Sequence, residues 1–210
     1  MSAPDKETQM PGLTASDQSK RLAFGNVAAS VDHRANLPDQ VFRGGWSCFA
    51  FFMKDFMVGA GDFAAVIRDF LRAEGATVAC LVNLSETPSL VFESAAAIYL
   101  DGSIDGSEYD RLLQSTRSEH GFLYTIDVLA CASNIGDWCI YSEGSNEIGV
   151  VALRRTEDFS RFADALSGLH AESLEVLSDG DTAGGTWPFT DAAFAAWREL
   201  LGKNYPSRPT

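Results

Sequence analysis

Two short stretches of the chain carry residue types at spacings that chemistry can use. Gly59-x-Gly61 with Ala64, followed by a helical pattern and a β-branched run, outlines a dinucleotide fingerprint, in which glycines let the backbone approach a pyrophosphate. Its context speaks against a nucleotide. A first strand buried on both faces reads as unbroken apolar residues, whereas Lys54 and Asp55 interrupt the run before Gly59. Asp62 stands at the helix start, where its carboxylate caps the amides a phosphate needs and repels that anion. Asn83, with Glu86 just beyond, replaces the acid that holds a ribose hydroxyl. The second stretch, Asp101, Ser103, Asp105, Gly106 and Ser107, imitates half of a calcium loop, but Leu112 fills the place of the bidentate glutamate. A strand-to-helix turn with Ser107 as cap accounts for the same letters, so neither a metal nor a cofactor is assigned.

A third candidate is nucleophilic. Cys48 lies in GGWSCFAF, and His170 lies far enough downstream to serve as the base that deprotonates a thiol. Over these eight residues the segment resembles the nucleophile region of papain-like cysteine proteases, in which a cysteine begins a helix and an aromatic follows. The resemblance implies a thiol hydrolase using Cys48 and His170. Gly45 replaces the cysteine that such families place three residues earlier, and no downstream Asn-Ser-Trp is present to orient the imidazole. The alternative is a buried thiol and a surface histidine. Cys80, Cys131 and Cys139 also sit in apolar runs, without CxxC or metal-ligand spacing, and read as buried thiols; Cys131 and Cys139 face each other across a hairpin if they pair at all.

Charge gives the other functional lead. The net charge is −13, and between Glu86 and Glu147 eleven acids oppose only Arg111 and Arg117. Such a chain repels nucleic acid and anionic membrane and attracts a basic protein surface; the plainer reading is that the acids keep the protein soluble. Asp101, Asp105, Glu108 and Asp110, with Glu143 and Glu147 at a hairpin turn, are the candidate contact carboxylates. Trp138, beside a turn, is the candidate aromatic contact, while Trp46, Trp187 and Trp197 read as core or groove residues. In charge and size the chain is similar to immunity proteins that neutralise basic toxins. A non-enzymatic acidic binding or inhibitor module is therefore the leading expectation, with oligomeric state left open.

The elements that position these residues follow from periodicity. The 210 residues are 46% hydrophobic, enough for a core, and contain neither a membrane-length apolar run nor a basic, apolar leader, so a cytoplasmic protein is expected. Residues 1–20 read as a mobile polar tail before a single domain over 21–205, which opens with a short helix from Leu22 to Val31. Phe63, Val66, Ile67, Phe70 and Leu71 fall on one helical face, so a helix over 62–74 is capped by Asp62, ended by Gly75 and followed by a strand from Thr77 to Val82. A strand over Ala95–Leu100 and a helix from Ser107 to Gln114 come next. Over about 122–154, three β-rich runs separated by SNIG and EGSN predict an antiparallel meander. Its strands are apolar on both faces: Phe122, Tyr124, Ile126 and Val128 on one, Leu123, Leu129 and Cys131 on the other. Something must cover each face. Helices over 157–168 and 190–202 are the expected cover, the second capped by Thr190, stapled by Phe189 and Phe194, and stopped by Gly202. The fold class is α+β, a mainly antiparallel sheet packed by several amphipathic helices.

Overall fold

A computed structural model describes residues 14–58, 62–87, 89–114, 128–178 and 195–206. Among these, helices α1 (Ala15–Ser30), α2 (Asp55–Val58), α3 (Phe63–Glu74), α4 (Gly106–Gln114), α5 (Asp158–Arg161), α6 (Ala163–Gly168), α7 (Leu174–Ser178) and α8 (Ala195–Asn204) surround one sheet. Its strands are β1 (Cys48–Met53), β2 (Val78–Asn83), β3 (Ala97–Asp101), β4 (Val128–Ser133), β5 (Trp138–Glu143) and β6 (Ile148–Leu153), ordered β1-β6-β5-β4-β2-β3 with every neighbouring pair antiparallel. The protein is thus α+β with an antiparallel sheet.

The meander is β4-β5-β6. Short turns leave antiparallel pairing as the only geometry within reach, and the register runs from Val128↔Glu143 through Trp138↔Leu153. Residues 122–127, expected to begin its first strand, lie outside the described residues, as do Phe189, Thr190 and Phe194.

Both faces of the sheet are covered, as the two-sided apolar pattern demands. On one face Ala50, Phe52, Leu81, Leu129, Cys131, Trp138, Ile140 and Val151 pack beneath α3, α4 and α6. On the other, Phe49, Phe51, Cys80, Ala130, Tyr141 and Val150 pack beneath α1, α8 and residues 31–42. Alternate side chains along each strand feed alternate cores. Cys131 and Cys139 therefore face opposite sides of the sheet and cannot pair across the hairpin; all four cysteines are free and buried.

Cap chemistry sets the helix limits. Asp62 accepts from Ala65 N–H at 2.9 Å, and Gly75 closes α3 at φ +76, a conformation that costs glycine little. The expected cap of α4 moves from Ser107 to Asp105, which accepts from Glu108 N–H at 2.9 Å. The N-terminal helix starts well before Leu22, because Thr14 accepts from Asp17 N–H at 3.1 Å and donates to its carboxylate at 2.7 Å. Residues 15–20 are helical, so the polar tail cannot extend to residue 20. The helix expected over 157–168 is broken at Phe162, whose φ of −101° and ψ of 16° separate α5 from α6. Gly202 does not stop α8, which continues to Asn204.

Candidate functional site

The acidic residues do not form one surface. Asp101 pairs with Val78 at the start of β2, whereas Glu143 pairs with Val128, which receives Leu84 N–H beyond the end of β2. Val78 and Leu84 are six residues apart along the strand direction, about 20 Å at a strand rise of ~3.3 Å per residue. The carboxylates near Asp101 and those of the β5–β6 hairpin thus sit at opposite ends of the sheet.

At the β3–α4 corner the carboxylates are held in place. Asp101 is exposed and accepts from Ser103 N–H at 2.8 Å and Ser103 Oγ–H at 2.6 Å, bonds that hold its carboxyl below the usual aspartate range. Asp105 is exposed and fixed as the cap of α4. Glu108 is half-buried and takes both its bonds from Arg111, at 2.7 and 2.5 Å, which lowers its pKa; Asp110 is exposed on the same helix. The Asp101 carboxylate closes its own turn rather than a calcium loop, and among the described residues no group of His, Cys, Asp and Glu has metal-binding geometry.

Two expected contact residues are internal. Trp138 is fully buried, its ring 4.7 Å from that of Phe70 and its indole N–H donating to Glu74 at 3.0 Å. It is a core residue, because the first position of β5 faces α3. Glu143 is 1% exposed and accepts from Leu37 N–H at 3.0 Å, Tyr141 Oη–H at 3.1 Å and Ser145 Oγ–H at 3.3 Å, with Asn146 as a fourth donor. It ties residues 35–38 to the sheet and presents no free carboxylate. Glu147 is exposed at the hairpin, at φ +55.

The thiol reading finds no support at its nucleophile. Cys48 begins strand β1 rather than a helix, is fully buried, and donates to Arg155 O at 3.5 Å. Burial, with the nearby Asp158 and Glu157 carboxylates adding to it, pushes its pKa up to about 11, the reverse of what a nucleophilic cysteine requires. The His170 ring is exposed and lies 5.0 Å from that of Phe56. Gly59 and Gly61 lie outside the described residues, but the strands around them do not make a dinucleotide unit. Such a unit places successive strands side by side and parallel; β1 is at one edge, β2 is fifth in order, and each has only antiparallel neighbours.

Sequence reasoning missed a charged cluster where α3, α5 and the β4–β5 turn meet. Asp158 is fully buried and accepts from Arg155 N–H at 3.0 Å, Arg155 Nη2 at 3.1 Å and Arg161 Nη1 at 3.5 Å. Arg161 also reaches Asp137 at 2.7 Å and Ala73 O at 2.9 Å. Glu74 accepts from Asp137 N–H at 2.7 Å besides the Trp138 indole, and burial raises its pKa. Nearby, Arg154 stacks 3.7 Å from the Trp46 ring centroid. The guanidiniums are engaged by carboxylates, carbonyls or a ring, so the cluster ties elements together rather than offering a free anion site. The available signal was Arg154-Arg155 directly after an apolar strand, followed by Glu157 and Asp158.

No family model, no curated protein and no solved structure matches this chain.

Proposed function

We propose that the protein is an acidic binding module that docks a basic protein partner through the β3–α4 corner, in the manner of immunity proteins that neutralise basic toxins. The observation that carries this reading is that Asp101 at the end of β3, Asp105 at the cap of α4 and Asp110 along α4 are each exposed, within ten residues of one another, in a chain with net charge −13. Asp101 is held by its turn to Ser103 and Asp105 by the cap of α4, so two of the three carboxylates are ordered before any partner arrives. Pre-ordering lowers the entropy lost on association, and the surrounding negative field steers a basic surface inward. Trp138 and Glu143 leave the contact set because both are buried. A thiol hydrolase gains no support from a Cys48 whose thiolate is disfavoured.

The test is capture from a cell lysate at low salt by immobilised wild type and by the Asp101→Lys, Asp105→Asn, Asp110→Lys variant. Asn keeps the cap oxygen of α4 while removing the charge. The wild type retains basic proteins that the variant loses, and the retention fades at 1 M salt, where the Debye length is about 3 Å. Equal capture by the two proteins, with melting temperatures also equal, leaves the carboxylates as a solubility feature.

A further inference from the structure

Between Leu169 and Leu174 the chain passes from one core to the other. Leu169 is buried on the α3 side of the sheet and Leu174 on the α1 side. To make the passage the chain turns around the outer edge of β1. There Phe51 N–H donates to Glu172 O at 2.8 Å and Glu172 N–H donates to Phe51 O at 2.9 Å, an isolated antiparallel bridge. Two backbone hydrogen bonds add little net stability. His170, two residues earlier, takes φ +50 at the C-terminal cap of α6, where His170 N–H donates to Ser167 O at 3.0 Å and Ala171 N–H to Leu166 O at 2.9 Å; this left-handed position costs a residue with a side chain more than it costs glycine.

The covered edge is of a kind that proteins guard. β1 reads CFAFFM, six apolar residues without proline or charge, on an otherwise acidic molecule. Lysine, proline and inward charges are the usual protection of an edge strand, and β1 has none of them between Ser47 and Lys54. Phe51 already directs its N–H and C=O away from β6. An antiparallel pair of β1 strands centred on Phe51 sets Phe49 of one copy opposite Met53 of the other, with no carboxylate in the seam.

We propose that residues 169–174 are a strap that opens locally, ahead of global unfolding, and that the uncovered edge of β1 then pairs with β1 of a second copy. Native-state hydrogen exchange on the full chain reads the opening: the Phe51 amide exchanges at least ten-fold faster than the β1 amides bonded to β6. Exchange of Phe51 at the same rate as those amides overturns the proposal. Two variants separate strap from scaffold. Glu172→Pro removes one donor of the bridge and raises the dimer fraction in sedimentation at equal concentration; an unchanged mass across concentrations refutes the pairing. His170→Gly removes that backbone cost and slows Phe51 exchange several-fold in a chain that keeps every described side-chain contact of the strap's two leucines. No change in that rate overturns the role given to His170 and the strap with it.

Discussion

Gly149 decides between two opposed effects on stability, and their signs differ. It sits in β6, between β1 and β5, paired with Phe52 on one side and Ser142 on the other. By backbone entropy alone, Gly149→Ala stabilises a strand by about 0.4–1 kcal/mol. By packing it is forbidden. A Cβ built at Gly149 falls 2.1 Å from Cζ of Phe52, 2.4 Å from Cε1 and 2.6 Å from Cε2, and the Phe52 ring is fully buried. The backbone of a strand bonded on both sides cannot retreat, so the ring must move within a filled core. Overpacking of this kind costs about 1–3 kcal/mol, which outweighs the entropy gain. Set against that gain the net cost is at most about 2.6 kcal/mol, so the expected outcome is a loss of melting temperature of up to roughly 10 °C, at about 2–4 °C per kcal/mol for a chain of this size.

A double-mutant cycle tests the cause. Phe52→Ala alone costs about 3–5 kcal/mol through the cavity it leaves. In Gly149→Ala/Phe52→Ala the added methyl enters that cavity, so the overpacking cost vanishes and the double variant is more stable than the sum of the singles by about 1–3 kcal/mol. Urea unfolding followed by fluorescence, to which the buried Trp138 contributes, measures all four corners. A Gly149→Ala variant at or above wild-type stability, or an additive cycle, refutes the steric argument.

Cys48 yields a second expectation: with its pKa near 11 and all four cysteines buried, iodoacetamide labels none of them rapidly in the native state, and mass spectrometry finds four adducts only after denaturation. Glu74 yields a third. Its folded-state pKa lies above the unfolded value of about 4.3 because burial disfavours the charge, so the fold binds the proton more tightly and the penalty is absent below the unfolded pKa and complete above the folded one. Glu74→Gln removes that penalty while keeping an acceptor for the Trp138 indole. The variant therefore gains on the wild type as pH rises from about 4 through the raised pKa, and melting curves that differ by a constant across this range count against it.

The fold was legible where a local rule fixes an element. Helix α3 combined a one-sided apolar period with Asp62 before it and Gly75 after it, and SNIG and EGSN between β-rich runs admitted little besides a meander. Apolar residues on both faces of those runs required the two cores now seen. Less was legible where backbone conformation chose among equivalent side chains. Asp105 and Ser107 can each cap a helix, and only the dihedrals of the turn assign the role to Asp105. Thr14 and Asp17 were a readable start for α1, hidden by the polar composition around them. The orientation of Trp138 was out of reach, because which face of β5 meets α3 depends on strand order, and strand order depends on β1 returning to pair with β6.

The same dependence governs the charges on which the functional reading rests. A count along the chain gives equal weight to the eleven acids between Glu86 and Glu147, whereas the fold sorts them. Glu143 is enclosed by donors, Asp137 is held by Arg161, Glu108 by Arg111 and Glu93 by Arg21. Among the described residues, those exposed without an ion pair are Glu86, Asp101, Asp105, Asp110 and Glu147. Three of these belong to the β3–α4 corner, while Glu147 lies at the far end of the sheet. Coulomb interactions in water fade over a Debye length of about 10 Å at 0.1 M salt, half the roughly 20 Å between the two ends. A partner held at one end therefore gains almost nothing from the other, and charge reversal at Glu147 leaves capture through the corner unchanged.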